Sequence, residues 1–355
     1  MRIAQVAPLF ESVPPRRYGG TERVVSYLTE ELVRQGHRVT LFAIAVSRTS
    51  AELVPIVDRP QRGNPHWMAH ALIQLERVLD RSADFDVLHF HTDHLHYPLL
   101  RYLDVPVVTT LHGRLDLPGL QPLHRVFSHA AVVSISEAQR GPLPDARWVA
   151  TIPHGLPAAL YRAGTGAGGY LTFVGRISPE KRLDRAIEIA RRAGLPLHVG
   201  AKVDPADRKY FEREIEPLLG TPGVEYLGEI DDRQKQDLLA NALALLFPID
   251  WPEPFGLVLL EALASATPVL AFRGGAVGEI LQDGVTGAIV DTVDQAVSAL
   301  PAVLALDRGR CREEFERRFS VRRMARDYVR VYERVMDAPT RVAASGWSAG
   351  AASNG

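Results

Sequence analysis

Short apolar runs alternate with amphipathic stretches along most of this chain, and no other feature restricts its fold so tightly. Residues 2–7 are an apolar run that predicts a strand. A loop carrying Pro14-Pro15-Arg16-Arg17 follows over 8–18, then Gly19-Gly20, then a helix over 21–34 with Val24, Val25, Leu28 and Leu32 on one side. Gly36 ends that helix, and residues 38–43 predict the next strand. Strand, glycine turn, helix and strand form the unit of a parallel sheet with helices on its faces, so the fold class expected is α/β. Further strands are predicted over 53–57, 86–90, 106–111, 131–135, 170–174, 197–199, 224–227, 244–247, 268–272 and 287–290. Helices are predicted over 66–80, 205–219 and 231–240.

The chain has 355 residues, enough for two domains of ordinary size. Residues 155–169 (GLPAALYRAGTGAGG) are rich in Gly and Ala and read as a linker. The expected division is a first domain over 1–155, a linker over 156–169, a second domain over 170–320, a helix over 321–336 and a flexible tail over 337–355. Lys and Arg number 41 against 42 Asp and Glu, a balance that disfavours nucleic acid as a partner. The single cysteine, Cys311, excludes an internal disulfide and a cysteine metal cluster, and reads as structural. The N-terminus is too short and too early broken for a signal peptide, and no apolar run approaches a membrane span, so a cytoplasmic protein is expected. The turn at Gly19-Gly20 is not the Gly-x-Gly-x-x-Gly of dinucleotide enzymes, which disfavours hydride transfer.

The chemistry concentrates in residues 247–265, FPIDWPEPFGLVLLEALAS. Pro252 and Pro254 cannot continue the strand over 244–247, because each removes a backbone donor and forces a turn. A helix is predicted over 256–264, with the amides of Phe255, Gly256 and Leu257 unpaired at its start. Glu253 stands in the loop before it, and Glu261 lies two turns in among Leu257, Val258, Ala264 and Ser265. A carboxylate on such an apolar face needs a hydrogen-bonding partner. Either Glu261 is a buried acid paired with an Arg, or both carboxylates and the helix-start amides grip one ligand. A sugar nucleotide has the matching groups: a ribose diol for Glu261 and a pyranose for Glu253.

A second cationic feature lies at residues 175–181, Gly-Arg-Ile-Ser-Pro-Glu-Lys. Ser178 is a good helix cap and Pro179 suits the first helical position of a helix running to about Ala193. Arg176 and Lys181 would then flank one helix start, where cations are disfavoured unless an anion sits between them. The alternative is a pair of solvated surface cations. Ten of the twelve histidines fall between His66 and His154. His91, Asp93, His94 and His96 follow one strand end, where ligands of open parallel sheets bind. Their spacing fits no strong metal pattern, so a polar cleft wall or acceptor contact is expected in preference to a metal site.

In combination, Arg176 with Lys181, and Glu253 followed by Pro-Phe-Gly with Glu261, resemble the retaining glycosyltransferases of family 4. The resemblance covers residues 1–336 and implies the GT-B fold, two Rossmann-like domains with parallel sheets facing across a cleft. It implies that Arg176 and Lys181 bind the diphosphate, that Glu253 binds the sugar hydroxyls and that Glu261 binds the ribose. Phe255, Gly256 and Leu257 would offer amides, Glu229 and Ile230 would lie at the nucleobase, and Gly19 and Gly20 would face the donor across the cleft. Glu279, after Arg273-Gly274-Gly275, follows the family's manner. His112 would contact the sugar and the reaction centre. Many members follow that histidine with Asp; here Gly113 stands there and Asp116 is the near acid. Relatives commonly have Asn where His154 stands. The helix after Ser320, with Met324, Tyr328 and Tyr332 on one side, would return to the first domain. The activity implied is same-face hexose transfer from a nucleotide diphosphate sugar, UDP-glucose being the first donor expected, to a sugar or small-molecule acceptor. His112 and Glu253 are the catalytic candidates, and His91, Asp93, His94 and Asp116 are acceptor or cleft-wall candidates. No metal and no cofactor are expected, since Arg176, Lys181 and the amides would meet the diphosphate charge. A sugar-nucleotide epimerase of the same fold and a non-catalytic sugar-nucleotide binder are the rivals.

Overall fold

The computed structural model describes residues 1–17 and 19–337. The expected tail beyond 337 lies outside the described residues, as does Tyr18 at the end of the first loop. The strands are β1 (Arg2–Val6), β2 (Arg38–Ala43), β3 (Glu52–Pro55), β4 (Val87–Phe90), β5 (Val107–Thr110), β6 (Val132–Ser134) and β7 (Trp148–Thr151), followed by β8 (Leu171–Arg176), β9 (Leu197–Lys202), β10 (Val224–Gly228), β11 (Ala244–Phe247), β12 (Val269–Phe272) and β13 (Gly287–Val290). They form two sheets, ordered β3-β2-β1-β4-β5-β6-β7 and β10-β9-β8-β11-β12-β13, and every pairing between named strands is parallel. Each strand order reverses direction once, between β1 and β4 in the first sheet and between β8 and β11 in the second. Outside the carboxyl ends of those strands the two flanking loops diverge and leave room for a ligand.

The central strands β1, β4 and β11 are buried almost throughout, as doubly covered parallel strands must be, and their apolar runs made them legible. One core joins Ile3, Val24, Leu28, Val87 and Val108 of the first domain to Met324, Tyr328, Val331 and Tyr332 of the closing helix, Val321–Asp337. The amphipathic stripe of that helix, which follows the second sheet, is therefore spent on the first domain. The chain crosses between domains at two adjacent points that bond to each other. Leu156 N–H donates to Phe319 O at 2.9 Å, and Val321 N–H donates to Leu156 O at 2.9 Å. The crossing is so close that a Cβ on Gly155 would stand 2.5 Å from Ser320 O, which only glycine avoids.

Several elements differ from the sequence expectation. The helix expected from Ser178 is interrupted. Pro179–Lys181 makes one 3-10 turn, Arg182 takes a left-handed φ of 54°, and the α-helix starts only at Leu183. Arg182 is fixed there by Asp184 and, at 2.8 Å, by Asp250, while Asp250 N–H donates to Glu180 O, so tertiary bonds replace the helical ones. Ser178, expected to cap, makes no side-chain cap hydrogen bond. The helix expected over 205–219 is broken into a 3-10 turn, one α turn, a π segment at Phe211–Ile215 and a second 3-10 stretch, Glu216–Gly220. Pro217 cannot donate to the preceding turn, which accounts for the loss of α geometry at that end. The strand β7 and the helix Val293–Leu304 were not anticipated, while Cys311 lies, as expected, in a helical stretch, Arg308–Arg318.

Candidate active site

A cleft of about 500 Å³ lies between the two sheets, lined from both domains. The first domain contributes Gly19, Gly20, His91, Asp93 and His112, and the second contributes Arg176, Lys181, Glu229, Ile230, Glu253, Phe255, Gly256, Leu257 and Glu261. Of the residues singled out from the sequence, His94 and Asp116 are not among those lining it. Asp116 is turned to Arg114, 2.7 Å away on the surface, and that pairing holds its carboxyl below the usual range. His94 sits edge-on to Tyr97.

The glutamate loop is positioned by its backbone. Gly256 has a φ of 92°, unfavourable for any side chain, and this turn sets the helix Leu257–Ala264 against the end of β11. Glu253 and Glu261 are both buried. Glu253 Oε2 accepts from Lys181 Nζ and, at 3.0 Å, from Trp251 Nε1. Lys181 Nζ also lies 4.9 Å from the Trp251 ring centre, so the indole meets the ammonium by its face and the carboxylate by its N–H. Glu261 Oε1 accepts from Lys235 Nζ at 2.5 Å and from Tyr161 O–H at 3.0 Å. The acid on the apolar helix face is thus paired with a lysine and a tyrosine in place of the arginine weighed from sequence. Burial beside that carboxylate pushes the Tyr161 phenol well above its ordinary value. Arg176 is bonded to Glu180 at 2.5 Å and lies 3.6 Å from both Asp204 and Asp207. Because the helix begins only at Leu183, the two cations do not flank its start as expected. Lys181 instead joins the glutamate loop, and Arg176 a group of acids at the end of β8.

The opposite wall is made of imidazoles. His91 and His112 follow β4 and β5, and His91 Nδ1 lies 2.8 Å from His112 Nε2. His112 stacks on His154, with ring centres 5.3 Å apart. Burial pushes the His112 ring down to about 3, and His91 and His154 well below the usual range, with adjacent imidazoles adding to the effect. All three rings are therefore neutral at pH 7. Burial raises Asp93, against the opposing pull of His94, and its backbone takes a positive φ of 56°. The walls touch: His154 meets Phe255 edge-on at 4.7 Å, Ser136 O–H donates to Pro254 O at 2.7 Å, and a Cβ on Gly20 would lie 3.5 Å from Leu257 Cδ1. Arg23, buried in the first helix, Gly20–Arg34, is ion-paired to Asp232 of the second domain.

Lys235, Tyr161, Trp251 and Arg23 were not found from sequence. Lys235, Tyr161 and Arg23 reach their partners over a long stretch of chain, 26 residues for Lys235 and Glu261 and 100 for Tyr161 and Glu261, and carry no local pattern, whereas Trp251 lies two residues from Glu253. Among the described residues no group of three or more His, Cys, Asp or Glu side chains is arranged to hold a metal ion, and no helix is long and apolar enough to cross a membrane.

Residues 166–318 match the family described as glycosyl transferases group 1, and residues 18–157 match glycosyltransferase family 4. The chain belongs to this glycosyltransferase family. The transferase is 28% identical to a phosphatidyl-myo-inositol mannosyltransferase of Mycolicibacterium smegmatis, an alignment covering 98% of this chain and 97% of the relative. Among solved structures it resembles AviGT4, a glycosyltransferase involved in avilamycin A biosynthesis, at 25% identity and a TM-score of 0.72 over 95% of this chain and 98% of that one. It also shares its fold with Anabaena HepE, solved in complex with UDP-glucose, at 18% identity and a TM-score of 0.70 over 94% of this chain and all of that one. The two domains therefore form a GT-B transferase.

Proposed function

We propose that the transferase moves a hexose from a nucleotide diphosphate sugar to an acceptor hydroxyl with retention of configuration. The observation that carries this reading is the pairing of each cleft glutamate with its own lysine, Glu253 with Lys181 and Glu261 with Lys235, one turn and one helix apart. A diphosphate can draw Lys181 from Glu253, which frees that carboxylate for the sugar hydroxyls. Glu261, held by Lys235 and Tyr161, is oriented for the ribose diol. Arg176, Lys181 and the amides of Phe255, Gly256 and Leu257 meet the diphosphate charge, so the reaction needs no divalent ion. In the transfer the bond from the anomeric carbon to the β-phosphate oxygen breaks. The bond to the acceptor oxygen forms on the same face, and the acceptor's proton passes to the departing phosphate oxygen. His112, neutral, positions the sugar. UDP-glucose is the first donor to test, since the HepE complex holds it in the same fold. The mannosyltransferase relative makes a mannosyl donor the second.

The test separates the two glutamates. Glu261→Gln should weaken the nucleoside diphosphate and the intact donor alike, because the ribose does not change during reaction. Glu253→Gln should leave nucleoside diphosphate affinity nearly intact and lower turnover by roughly tenfold or more, one decade for each 1.4 kcal/mol of lost transition-state stabilisation. Isothermal titration and initial rates with the best donor measure both, after melting temperatures have been matched. Reversed effects would reverse the ligand in the cleft. A new sugar nucleotide formed without acceptor would replace transfer by epimerisation.

A further inference from the structure

A run of buried polar side chains leads from the closing helix to His112, and none of its members is a charged group. Tyr332 O–H lies 2.7 Å from His89 Nδ1, and its oxygen accepts from Gln5 Nε2 at 3.1 Å. Gln5 Oε1 lies 2.7 Å from His91 Nε2, and His91 Nδ1 lies 2.8 Å from His112 Nε2. On the other branch His89 Nε2 lies 2.7 Å from Thr110 Oγ1, which is 3.0 Å from Tyr328 O–H. Gln5, His89, His91, Thr110, Tyr328 and Tyr332 are all buried. His112 Nδ1 has no hydrogen-bond partner among the described residues, and it is the one nitrogen of that ring left for a ligand in the cleft.

The joints fix one another's protons. The carbonyl oxygen of Gln5 can only accept, so His91 Nε2 must carry a hydrogen. A neutral imidazole carries one, so His91 Nδ1 is a bare lone pair, and His112 Nε2 must donate to it. His112 Nδ1 is then bare as well. At the far end Tyr332 accepts from Gln5 and so donates to His89 Nδ1, which leaves His89 Nε2–H for Thr110. Each donor meets an acceptor along the whole run. Turning the Gln5 amide over would reverse the joints from Tyr332 to His112 and bury a His112 Nδ1–H with no acceptor, the rarer kind of defect in a protein interior.

We propose that Gln5 and Tyr332 are positioning residues that hold His112 in its Nε2–H tautomer, so that His112 meets the donor sugar as a hydrogen-bond acceptor for a hydroxyl, not as a donor or a cation. The proposal rests on the reading of the cleft as a sugar-transfer site. It also ties the reaction centre to the closing helix, because Tyr332 stands on that helix and accepts from the Gln5 amide.

The tautomer can be read without turnover. Histidine labelled with nitrogen-15 in the full chain, observed by two-bond proton–nitrogen correlation at pH 7.5 without ligand, should show His91 and His112 both as the Nε2–H form. An Nδ1–H form or an imidazolium at His112 would overturn the proposal. Tyr332→Phe removes the acceptor of the Gln5 amide N–H, so that orientation loses its advantage and a mixed His112 signal should result. With UDP-glucose or the best donor found, kcat should fall about tenfold while KM for the donor changes less than twofold. Gln5→Leu should do the same and more; where it fails to fold, Tyr332→Phe carries the test alone. A mixed tautomer with unchanged kcat would overturn the positioning role. Absence of transfer from every donor would overturn the reading of the cleft while leaving the tautomer result to stand by itself.

Discussion

The two walls of the cleft solve the same problem in different ways. The imidazole part of the first-domain wall is kept neutral: His91, His112 and His154 at the cleft, with His89 and His96 buried behind them, are held uncharged by loss of water. On the second-domain wall the groups are charged and matched, Lys181 with Glu253, Lys235 with Glu261, Arg176 with Glu180. A neutral network keeps its geometry when an anion arrives, because it has no counter-charge to lose. A paired one must exchange partners. The first wall is therefore the fixed half of the site and the second the half that responds to ligand.

Acidification should break the first wall before the second, with the largest effect of all. An unfolded histidine takes its proton near pH 6.5, whereas folded His96 and His112 do so only near 3 and the other three well below the usual value. As pH falls through 6.5 the unfolded state binds protons that the folded state does not. Stability is thus complete above about 6.5 and is lost below it, at roughly 1.4 kcal/mol per pH unit for each histidine. Asp93 and Glu22 act in the opposite sense, since burial raises their carboxyls and relieves a penalty as pH falls. Asp207 acts with them, but His37, His124 and His129 are lowered by burial like the five, so eight groups against three leave a net loss. Urea unfolding between pH 8 and 5 should show it, and a flat profile would mean that the imidazole wall is not neutral.

The second wall should break through a single lysine. Lys235→Met leaves the buried Glu261 carboxylate with Tyr161 alone, and the loss should be about 3–5 kcal/mol, the scale for removing one partner of a buried pair. Adding Glu261→Gln should recover most of it. Equal instability of the single and double variants, measured by denaturant unfolding, would show that Lys235 acts by packing and not by charge.

Legibility followed the same division. The strands of both sheets other than β7, the first helix and the glutamate helix were written in local patterns: apolar runs, glycine turns and prolines that stop a strand. Glu253, Glu261, Arg176 and Lys181 stood out because each was anomalous in its neighbourhood, and all four line the cleft. Their partners were hidden, because Tyr161 sits in what composition marked as a linker and Lys235 on an ordinary polar helix. Gln5 did carry a signal: it is the one uncharged polar side chain within the buried strand β1, and a buried amide needs partners. The Pro179 turn misled because Ser-Pro-Glu is a good helix start, and only the tertiary bonds of Arg182 and Asp250 show why the helix begins later.

Removing the diphosphate cations should have a smaller effect, confined to ligand binding. Arg176→Ala or Lys181→Ala should weaken nucleoside diphosphate binding by about 1–3 kcal/mol, the scale of a charge-assisted hydrogen bond. Calorimetry measures it. Unchanged affinity in both variants would remove the diphosphate from this wall and with it the partner exchange that distinguishes the second wall from the first.

The smallest effect should come where the two domains are tied together. The carboxylate of Glu279, in the second domain, accepts from Glu137 N–H at 2.8 Å and from Ala138 N–H at 2.7 Å, the first amides of a short helix, Glu137–Arg140, in the first. An anion at a helix start contributes about 0.3–1 kcal/mol when exposed. Glu279→Gln keeps the shape, removes the charge and leaves only one oxygen for two amides, so global stability should change by less than about 1 kcal/mol. The domain arrangement should be more sensitive than the stability, because this tie spans the interface and each domain has its own core. Small-angle scattering of the ligand-free variant should give a larger radius of gyration than the parent, and saturating nucleotide sugar should bring the two together, since the donor contacts proposed above come from both walls. An unchanged radius in both states would mean that the paired crossings at Leu156 and Ser320, with Arg23 and Asp232, hold the domains without help from Glu279. The second wall would then respond to ligand by exchanging ion pairs within one rigid body.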